Sequence, residues 1–163
     1  MKKIFLFFIL ALISSTVLAY VDPIAPYMDP LPDEKIDIIF KKIENKEIIL
    51  TKTLHQALKS SQLTLRSYAA RELGNQGDET SIPYLIDVLS DESSHVGANY
   101  IKPGMATTRY WANESLKKLT GEDFNFVWND PKEKRTQAIF RWQQWYFRKY
   151  PNSNKKTHNQ QIY

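Results

Sequence analysis

The sequence contains no cysteine. That excludes disulfides, thiolate metal sites and a thiol nucleophile, so packing alone must hold the fold. Glycine is scarce, with 5 in 163 residues, too few for a sheet protein built on tight turns. Histidine is scarcer still, with 3. His55, His95 and His158 never form a helical i, i+4 pair and belong to no metal-ligand motif. His55 adjoins core positions of a helix and is expected at the surface or a boundary. His95 would need Asp91 or Glu92 beside it to hold even a weak metal, and His158 falls in the tail. There is no G-x-S-x-G elbow, Walker loop or G-x-G-x-x-G. No catalytic residue, metal site or cofactor is therefore assigned, and a non-enzymatic role is expected.

Long apolar runs are also missing, with one exception at the N-terminus. Lys2 and Lys3 precede an unbroken apolar run, Ile4–Ile13, and Val17 and Ala19 are small residues placed like the −3 and −1 positions of a cleavage site. The reading is a secretory signal over 1–19, cleaved after Ala19, with a periplasmic or secreted product. The alternative is an uncleaved anchor, but the run is shorter than the roughly 20 apolar residues that a span needs. No other segment is expected to cross a bilayer.

Charge is unevenly distributed. From Pro131 to Tyr163 there are eight basic residues and one acidic; from Tyr20 to Asp130 there are twelve basic and seventeen acidic. An acidic body with a basic end would orient an approaching partner.

The leader, 20–32, holds Pro23, Pro26, Pro30 and Pro32. Proline fixes φ and lacks a donor, so this stretch is extended, a spacer or a strap on the body. A helical domain is expected over 33–150 and a polar tail over 151–163. A first helix, Asp33–Asn45, capped by Asp33, has Ile36, Ile39, Phe40 and Ile43 on one face. A second runs from Ile48 to about Lys59. A third, Leu63–Leu73, ends at Gly74, where a left-handed residue is expected. Thr80 or Ser81 caps the next helix, with Pro83 in its first turn. A loop from Ser93 to Met105 follows. Thr107 or Thr108 opens a further helix that closes at Gly121, and a last helix spans Lys132–Tyr150.

These helices repeat. Leu54–Leu58 superposes on Leu85–Leu89 at an offset of 31 residues, and Leu65–Leu73 on Thr108–Leu116 at an offset of 43. The difference, 12 residues, is about the size of the inserted loop. One unit thus occurs twice, as a helix pair whose apolar faces need a neighbouring pair to cover them. Its second helix carries Leu65, Arg66, Tyr68, Ala69, Leu73 and Gly74 in the first copy, and Arg109, Trp111, Ala112 and Leu116 in the second. Ala69 and Ala112 allow close helix approach. Arg66 and Arg109, just before the alanine, reach an acidic side chain or carbonyl of the neighbouring unit.

The stretch Leu65–Leu89, "LRSYAARELGNQGDETSIPYLIDVL", resembles the HEAT-like repeats of the phycobilisome-lyase type, whose consensus reads VR–AA–ALG–GD–AIP–L. Leu65-Arg66, Ala69-Ala70, Leu73-Gly74, Gly77-Asp78, Ile82-Pro83 and Leu85 take those places. Leu119-Thr120-Gly121, Phe124 and Arg141-Trp142-Gln143-Gln144-Trp145 resemble a C-terminal pattern of bacterial HEAT-containing proteins. The resemblance implies an all-α fold, a short α-solenoid of two helix pairs with capping helices at both ends. Some members act as bilin lyases; with no cysteine and no pigment-handling feature, that role ranks behind partner binding.

Two surfaces are expected to meet a partner. The inserted loop offers Tyr100, Ile101 and Lys102. The last helix offers Arg141, Trp142, Trp145 and Arg148, with Arg135 and Lys149 nearby, although its aromatics, with Phe124 and Trp128, read first as the core of a C-terminal cap. A protein or peptide is the expected partner. A cell-wall glycan stacked on Trp142 and Trp145 is the second reading, a lyase-like accessory subunit the third, and a homodimer is open. Nucleic acid is not expected for an exported chain.

Overall fold

Proline sets the first boundary. In the computed structural model, which describes residues 24–25, 32–93 and 107–153, Pro32 takes the N-cap position and helix α1 spans Asp33–Glu44. Asp33 is thus the first helical residue rather than the cap. Ile36 and Ile39 are buried and Phe40 and Ile43 pack against the core, as their 3–4 spacing requires.

An extended segment leads into α2, Thr51–Ala57. This helix starts three residues later than its apolar pattern suggests. Ile49 turns into the core, while Ile48 and Leu50 remain 84% and 76% exposed. Alternation in an extended chain sends neighbours to opposite sides, and here it ends the helical periodicity. Helix α3, Leu63–Gln76, follows a short turn. It buries Leu65, Ala69, Ala70 and Leu73 completely.

Helix α3 does not stop at Gly74. It continues to Gln76, and Gly121 is the one glycine with positive φ among the described residues. Gly74 serves a different need, discussed below. The following turn is capped by Asp78, while Ser81 takes the N-cap position of the next helix without a side-chain capping bond. The Asp78 carboxylate accepts the Thr80 amide at 2.9 Å at the start of a 3-10 turn, Glu79–Ser81. Helix α4, Ile82–Asp87, carries Pro83 in its first turn and runs into a second 3-10 turn, Val88–Ser90.

Helix α5, Thr108–Thr120, is bounded as its sequence suggests. Thr107 Oγ1 accepts the Tyr110 amide at 3.2 Å, and Gly121 closes the helix at φ 74°. Helix α6, Lys132–Lys149, packs against α4 and the 3-10 turn after it. Among the described residues every regular element is helical. The two pairs, α2–α3 and α4–α5, stack with α3 beside α5, a short helical solenoid. No helix among the described residues is long and apolar enough to cross a membrane.

Candidate interaction face

The contact between α3 and α5 is built from small residues. Ala69, Ala70 and Ala112 have no exposed surface. Ser115 Oγ donates to the Ala70 carbonyl at 2.7 Å, and Ser67 and Thr108 hydroxyls meet at 3.4 Å. Gly74 faces Ser115 so closely that a Cβ there would lie 2.8 Å from Ser115 Cβ. With the backbones this near, larger side chains at the seam are pushed onto the outer face.

On that face sit Tyr68 and Trp111, the matching positions of the two repeats, each half-buried. Arg71 joins them: its guanidinium lies 5.0 Å from the Tyr68 ring centroid and 5.6 Å from that of Trp111. Such placements are attractive because the ring face is electron-rich. Glu72 accepts from Arg71 Nε at 3.2 Å and fixes the guanidinium from the other side. Tyr110 meets Trp111 edge-on at 5.2 Å. Lys118 Nζ donates to Asn75 Oδ1 at 2.8 Å, a second bridge across the two helices. The result is an aromatic–arginine–aromatic row that spans both repeats.

A second group holds the base of the inserted loop. Arg66 Nε donates to Asp91 at 2.8 Å, and its Nη1 donates to the Ser60 and Ser61 carbonyls at 2.8 and 3.0 Å. Burial pushes the Asp91 carboxyl up, but the Arg66 bond, with those from Ser93 and Thr108, carries it below its ordinary value. Arg109 donates to the Asp91 carbonyl at 2.8 Å and to the Trp128 carbonyl at 2.6 Å. Arg135 grips both oxygens of Glu92, at 2.5 and 2.6 Å, and the Asp130 carbonyl. Arg66 of the first unit thus reaches an acidic side chain of the second, as expected, whereas Arg109 holds carbonyls of its own unit and of the segment before the last helix. Arg135, expected at the surface, is buried and acts as a staple. The loop contacts Tyr100, Ile101 and Lys102 lie outside the described residues, as do His95 and His158.

The C-terminal aromatics are mostly core. Trp142 has no exposed surface and stacks edge-on against Phe124 at 4.6 Å and Trp145 at 5.8 Å. Its indole nitrogen has no acceptor among the described residues, so the ring contributes apolar area. Of the two readings of Trp142, cap core and contact residue, this burial supports the core and removes the contact. Trp145 is half-buried; Arg141 and Arg148 are exposed, and Arg141 holds the Phe124 carbonyl at 3.0 and 3.2 Å.

His55 is also corrected. It is buried, stacked on Tyr84 at 4.1 Å, with Nε2 2.9 Å from Ser81 Oγ. Burial lowers its pKa, against an opposing pull from Asp78. The aromatic row is not legible from the repeat alone, which marks Tyr68 and Trp111 only as matching positions. Arg71, one turn from Tyr68, was the signal that could have revealed it.

Residues 51–123 match the family model for HEAT repeats. No match was found among curated proteins or among solved structures. The matched stretch begins where α2 begins and ends just past α5, so it covers both stacked helix pairs, and these two pairs are similar to HEAT repeats.

Proposed function

We propose that this chain is an exported, non-catalytic module that binds another protein or peptide through the outer face of α3 and α5. HEAT repeats commonly serve as protein-interaction scaffolds. The observation that carries the reading here is the Tyr68–Arg71–Trp111 row. Tyrosine, tryptophan and arginine dominate interface hot spots, and rings held in place lose little entropy on binding. Tyr100, Ile101 and Lys102 of the inserted loop extend the same proposal. Export rests on the signal-like segment 1–19.

Cross-linking from the exported fraction tests both parts. The expected bait begins at Tyr20 and captures one dominant protein, which Arg71→Glu and Tyr68→Ala lose and Arg148→Glu keeps. Absence of the bait from that fraction would overturn the export reading, and a bait there that still begins at Met1 would overturn cleavage after Ala19. Capture unaffected by Arg71→Glu would overturn the binding face, and capture of only a second copy of the chain would replace the foreign partner with a homodimer. The glycan reading has lost Trp142, its central residue, to the core.

A further inference from the structure

Asp87, the last residue of α4, has unusual partners. Its Oδ1 accepts the Ile24 amide at 2.8 Å and its Oδ2 the Ala25 amide at 3.0 Å. Each oxygen thus takes one of two successive backbone donors, and Ile24 and Ala25 are both buried. Among the described residues no cation lies within ion-pair distance of this carboxylate, and Lys59 acts on it only at longer range. Burial raises its pKa, while the two amide bonds pull the other way. A helix C-terminus gives a carboxylate no help from the helix dipole. What compensates this acid is the backbone of a segment more than sixty residues away in sequence.

The leader sequence fits that chemistry closely. Ile24 and Ala25 lie between Pro23 and Pro26, and proline has no amide hydrogen to donate. Sliding the leader by one or two residues in either direction would present a proline to one carboxylate oxygen. The prolines therefore fix the register, and two amides in a row select one dipeptide.

We propose that the Asp87 carboxylate is a peptide-binding seat for a proline-bracketed dipeptide with two free amides, which Ile24 and Ala25 of the leader fill as a displaceable strap. The seat lies on α4 and owes nothing to the Tyr68–Trp111 row, so either proposal can stand without the other.

The test uses the full chain and a fluorescent synthetic peptide spanning Val21–Leu31. In the full chain, Ile24→Pro removes one donor from the resident strap and empties the seat. Peptide anisotropy should then show at least ten-fold tighter binding than to the unmodified chain, whose own leader competes. Adding Asp87→Asn, which leaves one acceptor oxygen, should weaken that binding at least ten-fold, and a peptide carrying the same Ile24→Pro change should not bind. Equal affinity for the Ile24→Pro and unmodified chains, or binding that survives Asp87→Asn, would overturn the proposal. Should these variants fail to fold, hydrogen exchange on the unmodified chain decides. Saturating peptide should speed exchange at the Ile24 and Ala25 amides, and unchanged exchange would overturn the proposal.

Discussion

At the scale of single residues, two glycines do opposite jobs. Gly74 has an ordinary helical backbone, but a Cβ there meets Ser115, whose Cα is only 3.0 Å away. Backbone cannot swing aside as a side-chain tip can. Gly74→Ala should therefore overpack the α3–α5 seam and destabilise the fold by about 1–3 kcal/mol, despite alanine's better helix propensity. Urea denaturation measures it. Ser115→Gly in the same chain should recover part of the loss, a coupling expected only between residues in contact. Gly121 is the reverse case: nothing lies within 4 Å of a Cβ built there, but its φ is 74°. Gly121→Ala should cost about 1 kcal/mol from backbone strain alone, with no partner substitution able to rescue it. A larger loss at Gly121 than at Gly74 would contradict this division of roles.

At the scale of elements, arginines tie turns together. Arg66 links the start of α3 to Asp91 and to two carbonyls of the preceding turn. Its side chain and that of Asp91 are 14% and 13% exposed, so solvent screens the pair only in part. Arg66→Ala should cost ~2 kcal/mol by leaving the Asp91 carboxylate and those carbonyls short of donors. Arg66→Lys should recover little, since one ammonium cannot copy a guanidinium fork. These elements were largely legible in the sequence, because Leu at 3–4 spacing and the Arg–aromatic–Ala triplet recur at matching positions. Helix ends were less legible. The late start of α2 depends on which side of an extended chain Ile48, Ile49 and Leu50 fall, and the need for glycine at position 74 inside α3 depends on Ser115, 41 residues away.

At the scale of the whole molecule, the sequence misplaced the residues whose burial depends on tertiary packing. Arg135 and His55 read as surface or boundary residues and Trp142 as either core or contact, and all three are buried. Each sits on an amphipathic helix, and periodicity alone does not say how far a neighbouring element reaches around it. His55 gives this packing a measurable consequence. Its ring is held against Tyr84 and Ser81 in the neutral form, and burial lowers its pKa below the ordinary 6.5. A folded-state pKa below the unfolded one means that acid protonates the unfolded chain first. The stabilisation is then present above about pH 6.5 and is lost as pH falls from there through the folded pKa. Asp91, also lowered, adds a loss further down the acid range. Thermal melts at pH 7.5 and 5.5 should therefore show a lower Tm at the acid value. In His55→Phe, which keeps an aromatic ring beside Tyr84 but has no proton to take up, that step should shrink. The same Tm drop in His55→Phe would assign the acid sensitivity to other titrating groups and leave His55 a packing residue.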